Sequence, residues 1–86
     1  MRPVDWDELV RICSDAGFVF DRQRGDHYIM TKRGVSRPAV IPRKRGLKED
    51  IVLSVARTIG LTRKEVEDKL NAKSKRVRFA GQDQAE

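Results

Sequence analysis

A chain of 86 residues, 38% hydrophobic and 37% charged, can close one modest core and carries a net charge of +6. No apolar run is long enough to span a bilayer and no signal-peptide pattern opens the chain, so a cytoplasmic protein without a membrane partner is expected. Cys13 is the only cysteine and His27 the only histidine, which argues against an internal disulfide and a structural zinc site; no cofactor is expected.

In chain order, the first helix starts at Asp5, which has capping-box spacing to Glu8, with Val4 and Leu9 placed to form a hydrophobic staple. Trp6, Leu9, Val10 and Cys13 recur at helical spacing, and Gly17 supplies the stop. Trp6 and Cys13 are expected in the core, Cys13 as an inert thiol. Two strands follow, over 18–23 and 27–31, the second with Tyr28, Ile29 and Thr31. Arg24-Gly25-Asp26 is the hairpin turn between them. A turn around Gly34 leads to a third strand near Ala39-Val40-Ile41, ended by Pro42. A second helix over about 48–59 has the stripe Ile51, Val52, Val55, Ala56 and Ile59, with Gly60 after it. Thr62 and Glu65 repeat the capping-box spacing at the start of a third, short helix that is expected to end near Leu70. Residues 1–70 form the expected domain, and 71–86 a flexible polar tail whose basic run at 73–78 reads as solvated. This order predicts an α+β fold like a small double-stranded-RNA-binding domain: a three-stranded antiparallel sheet with helices on one face.

The charge is unevenly spread. Residues 22–48 hold nine basic groups and one acidic, a local +8, between a segment of −3 (1–21) and one of −1 (49–70). Five of the nine are arginines within 22–43, the residue type whose fork matches phosphate. One basic stretch of this strength points to a polyanionic partner and argues against a purely protein-binding module.

His27 opens the second strand inside that stretch. Imidazole titrates near neutral pH and can take the proton of a ribose 2′-hydroxyl or protonate a leaving oxygen. Positive groups must offset the charge that builds on phosphorus, and Arg24, Lys32, Arg43, Lys44, Arg45 and Lys48 lie in or beside turns that can surround the ring. With Arg33 they form the candidate RNA-binding set. Asp26 can orient the ring, although adjacent strand residues point to opposite faces. Tyr28 is a possible partner but reads as packing. Two outcomes stay open: a nuclease, or a binding domain in which His27 contacts phosphate or ribose.

The stretches "DAGF", "RGDHYIM", "AVIPRKRGLK" and "ARTIGLTRKEV" together resemble the HicA toxins, small RNA-cleaving proteins of type II toxin–antitoxin modules, over residues 5–67. The resemblance implies a metal-independent endoribonuclease acting on mRNA, with His27 catalytic within the motif Gly25-Asp26-His27 and an antitoxin of the HicB type as protein partner. Alone, the chain is expected to be a monomer. Two positions depart from the family pattern. Asp26 stands where serine is common, and Arg43 and Lys44 follow the third-strand proline where a second histidine often occurs.

Overall fold

The computed structural model describes residues 1–79, with side chains described as far as Ala72. The expected tail beyond 79 and the basic side chains of 73–78 lie outside the described residues. The elements are α1 (Trp6–Asp15), β1 (Val19–Arg24), β2 (His27–Lys32), β3 (Val35–Pro42), α2 (Glu49–Ile59) and α3 (Arg63–Phe79). They follow the predicted order in an α+β arrangement with one open three-stranded antiparallel sheet, β1-β2-β3. Among the described residues no helix is long and apolar enough to cross a membrane.

The helix ends are set by local chemistry. At α1 the Glu8 carboxylate accepts the Asp5 N–H at 3.0 Å, and Val4 and Leu9 are fully buried, as a capping box with a staple requires. At the other end Gly17 takes φ 95°, and Phe18 N–H reaches the Cys13 carbonyl while Gly17 N–H reaches that of Ser14, both at 3.0 Å. This pair of bonds satisfies carbonyls that the last turn leaves open. The Lys32 ammonium donates to the Ala16 carbonyl at 2.8 Å, and a Cβ on Gly17 would stand 3.1 Å from Lys32 Cε. At α3 the Thr62 N–H donates to Glu65 at 2.8 Å, and the Glu65 N–H donates to the Thr62 hydroxyl at 3.2 Å.

The core is one cluster, with Leu9, Met30, Ile41, Val52 and Val66 among its fully buried side chains. Both α1 and α2 pack chiefly against β3, and α3 packs on both helices. Consequently β1 receives little cover, and all six of its residues are exposed. Two expectations change. The third strand begins at Val35, four residues before the apolar triplet, because the hairpin pairing carries the polar residues Ser36 and Arg37 along with it. The third helix is not short: backbone hydrogen bonding continues past Leu70 to Phe79, through sequence that has no apolar stripe to reveal it.

A bulge at Asp21 decides which way β1 faces. Phe20 pairs with Met30, and two residues further on Arg22 pairs with Ile29, the next residue of the partner strand. In a regular strand Phe20 and Arg22 would share a face; the extra residue puts them on opposite ones. Phe20 joins Tyr28 and Met30 on the helix side, while Arg22 and Arg24 join Ile29 and His27 on the open side.

Candidate active site and nucleic-acid interface

Arg24 and His27 are paired across the β1–β2 hairpin, which leaves Gly25 and Asp26 as a two-residue turn. Gly25 has φ 60°, the geometry of a hairpin turn with glycine at its first central position. The turn is pinned from both sides. Gln23 donates its side-chain amide to the Gly25 carbonyl at 3.0 Å, and the Arg43 backbone N–H donates to the Asp26 carbonyl at 2.7 Å. His27 therefore leaves the turn in a fixed direction and stands across from Pro42.

Its ring is half-exposed over a shallow recess on the open face of the sheet, lined by Arg22, Arg24, Gly25, His27, Ile29, Pro38 and Val40. Ile29 is only 5% exposed, so the floor is apolar and the rim basic. The His27 Nδ1 lies 3.6 Å from an Asp26 carboxylate oxygen, and the other oxygen of Asp26 lies 3.9 Å from the Lys44 ammonium. The first distance exceeds a hydrogen bond, so Asp26 attracts the ring only when it is protonated. The Arg22 guanidinium is ion-paired to the adjacent Asp21.

The loop from Arg43 to Leu47 brings further cations to the same end of the sheet. It is tied to the start of α1 by reciprocal backbone bonds between Val4 and Leu47 (3.1 and 2.8 Å) and by Trp6 N–H to the Lys44 carbonyl at 3.1 Å. The Asp5 carboxylate accepts from the Gly46 N–H at 3.0 Å and from the Arg45 guanidinium at 2.9 Å. Lys44, Arg45 and Lys48 line a second recess between this loop and the first turn of α2.

The expected residues thus separate by position. Arg24, Gly25, Asp26 and His27 converge, and Lys44 reaches them through Asp26. Arg43 is at the same end but on the helix side, its guanidinium carbon 4.6 Å from the centre of the Trp6 ring and one of its nitrogens 3.0 Å from Gln23 Oε1. Lys32 does not surround His27. It ends the strand that His27 begins, five residues of extended chain or about 16 Å away, where it serves α1. Arg33 lies in the turn beyond it. Tyr28 faces away from His27, toward Trp6 and Phe20. Arg22 was not in the expected set; only the bulge brings it to the recess, and no residue type marks a bulge in the sequence. Cys13 is fully buried, which pushes its thiol up to about 12.

Comparison with curated proteins and with solved structures finds no match. A family model described as the HicA toxin of bacterial toxin–antitoxin matches residues 6–61. That span runs from the first residue of α1 to the residue after Gly60 and includes both recesses and the whole His27 hairpin. On that match, with a three-stranded sheet and helices in the order the motifs implied, the chain belongs to the HicA toxin family.

Proposed function

We propose that this toxin is an endoribonuclease that cuts mRNA at the open-face recess, with His27 as its acid–base group. The observation that carries the reading is the placement of the chain's only histidine, half-exposed, in a recess it shares with Arg22 and Arg24. In the reaction the ribose 2′-oxygen attacks the adjacent phosphorus, its proton is removed, and the 5′-oxygen leaves with a proton, giving a 2′,3′-cyclic phosphate and a 5′-hydroxyl. Nδ1 is turned to Asp26, which leaves Nε2 as the nitrogen offered to RNA. The neutral ring takes the 2′-hydroxyl proton. No second imidazole exists in the chain, so water supplies the leaving-group proton or the ring passes on the one it has taken. Arg22 and Arg24 stabilise the charge that develops on the phosphoryl oxygens. Lys44 and Lys48 extend the track along which phosphates lie, and a HicB-type antitoxin silences the enzyme by covering the recess.

Replacing His27 by alanine in the purified toxin tests this. Cleavage of a long RNA is expected to fall by 10²–10⁴-fold, with RNA affinity within about twofold of wild type. Cutting should persist in EDTA. An alanine variant that cuts RNA at the wild-type rate refutes the assignment. The lone titrating group favours a second reading, a binding domain of the same fold without catalysis, and that reading predicts no cleavage products from either protein.

A further inference from the structure

The helix side of β1 and β2 carries a row of rings that the fold does not enclose. Phe20 is 51% exposed, and its ring centre lies 4.8 Å from that of Tyr28. Tyr28 lies 5.5 Å from Trp6, and the Arg43 guanidinium closes the row over Trp6. Tyr28 and Trp6 are half-buried and packed against the core, so Phe20 is the most exposed ring of the row. Arg43 is held there by its bond to Gln23, which stands across the ladder from Tyr28. Because α1 and α2 pack chiefly on β3, the outer end of this row is left exposed at Phe20 among the described residues.

We infer that Phe20, Tyr28 and Trp6, ended by Arg43, form a stacking platform for the bases of single-stranded RNA. The inference rests on the reading of the toxin as an RNA-binding enzyme and assigns it a substrate class, unpaired RNA. Rings with open faces accept any base, and a guanidinium beside them takes the phosphate that links one base to the next. The charge around the row favours this occupant over an apolar protein surface. Arg43 ends the row, Lys44, Arg45 and Lys48 lie at the same end of the sheet, and Arg22 and Arg24 stand on its other face; the carboxylates among them are Asp5, Asp21, Asp26 and Asp50, so six cations face four carboxylates and this end stays positive. Bases inside a duplex are already stacked and cannot reach such a surface, so the platform selects unpaired segments. Tyr28 directly follows His27 and points the other way, so a strand that leaves the row at the hairpin passes the recess.

The test uses the full toxin and a short 2′-O-methyl RNA strand, which lacks the attacking hydroxyl and stays intact. Three probes are compared at fixed salt: the strand, its duplex, and an abasic ribose-phosphate strand of equal length. The strand is expected to bind at least tenfold more tightly than the abasic probe and to quench emission from Trp6, the chain's only tryptophan. Phe20→Ala should weaken strand binding about tenfold, leave the abasic probe unchanged and keep the salt slope. Phe20→Tyr should restore binding, whereas Phe20→Leu should not, which separates ring stacking from apolar area. Equal binding of all three probes, or a Phe20→Ala protein that binds the strand like wild type, overturns the platform and leaves the RNA reading standing. If no probe binds at all, both fall. If Phe20→Ala weakens only the complex with an antitoxin, the row is a protein contact and the platform is wrong.

Discussion

Replacing Asp5 by alanine should destabilise the toxin by about 2 kcal/mol, because one carboxylate holds two structures. As the residue before α1, Asp5 is its N-cap, and alanine at such a position costs about 1 kcal/mol. Its oxygens also accept from the Gly46 N–H at 3.0 Å and the Arg45 guanidinium at 2.9 Å. The Gly46 bond adds about 1 kcal/mol, since the freed N–H is exposed and water replaces only part of it. The ion pair adds nearly nothing, because the Arg45 side chain is 80% exposed and solvent screens it. For a domain of this size about 2 kcal/mol lowers Tm by roughly 10 °C. Thermal and urea unfolding followed by far-UV circular dichroism give both quantities. Asp5→Asn keeps an acceptor for the cap and for Gly46 and should stay within about 0.5 kcal/mol of wild type. Arg45→Ala should do the same. If Asp5→Ala costs less than about 0.5 kcal/mol, or if Asn is as harmful as Ala, the double role is refuted.

Three other outcomes follow from the geometry. Gly17→Ala forces a side chain into φ 95° and against the Lys32 stem, and should cost about 1–2 kcal/mol in urea unfolding. Because burial raises the Cys13 thiol to about 12, the native state keeps a proton that the unfolded chain releases near its ordinary thiol value. Stability from this group is therefore complete below about pH 8.5 and falls by about 1.4 kcal/mol per pH unit up to about 12; Cys13→Ala should remove that slope. The Glu65 carboxyl is held below its usual range, first by the Thr62 N–H and then by the Thr62 side chain. Its contribution is present above the ordinary carboxylate range and lost as pH falls through the lowered value, so the Tm gap between wild type and Glu65→Gln should close in acid.

Local rules in the chain carried the helices. Asp5 with Glu8, Thr62 with Glu65, and glycines at 17 and 60 mark helix ends by bonds between near neighbours, and such bonds depend little on the rest of the fold. The start of β2 at His27 was legible for a similar reason, from Gly25 in the turn before it, although the turn is the two residues Gly25 and Asp26 and not the three expected. The surroundings of His27 were less so. Charge along the chain measures sequence distance, and β2 converts five residues into the whole length of the sheet, which sends Lys32 to the far end. Facing is lost at Asp21, where an extra residue breaks the alternation that would place Arg22 beside Phe20. Tyr28 and Trp6 were expected inside. Their type suits a core, but burial depends on which strand the helices choose to cover, and that choice falls on β3.

The bulge at Asp21 also bears on whether the edge of the sheet can pair with a strand of another copy. Both outer strands of the sheet are free to template another strand. On β3 that tendency is checked by Pro38 and Pro42, which offer no N–H, and by α2 alongside. On β1 no proline is present, and Val19 and Phe20 are exposed beside the unpaired edge, the makings of an aggregation-prone segment. Asp21 bends that edge and places a charge on it. Deleting Asp21 would restore regular pairing without moving Phe20 or Arg22 to another face, so the recess and the ring row should survive. What should be lost is solubility: light scattering is expected to show self-association at concentrations where the wild type stays monodisperse, and a deletion variant as monodisperse as wild type would count against this role. In that light Asp21 guards the chain while it waits for either RNA or an antitoxin.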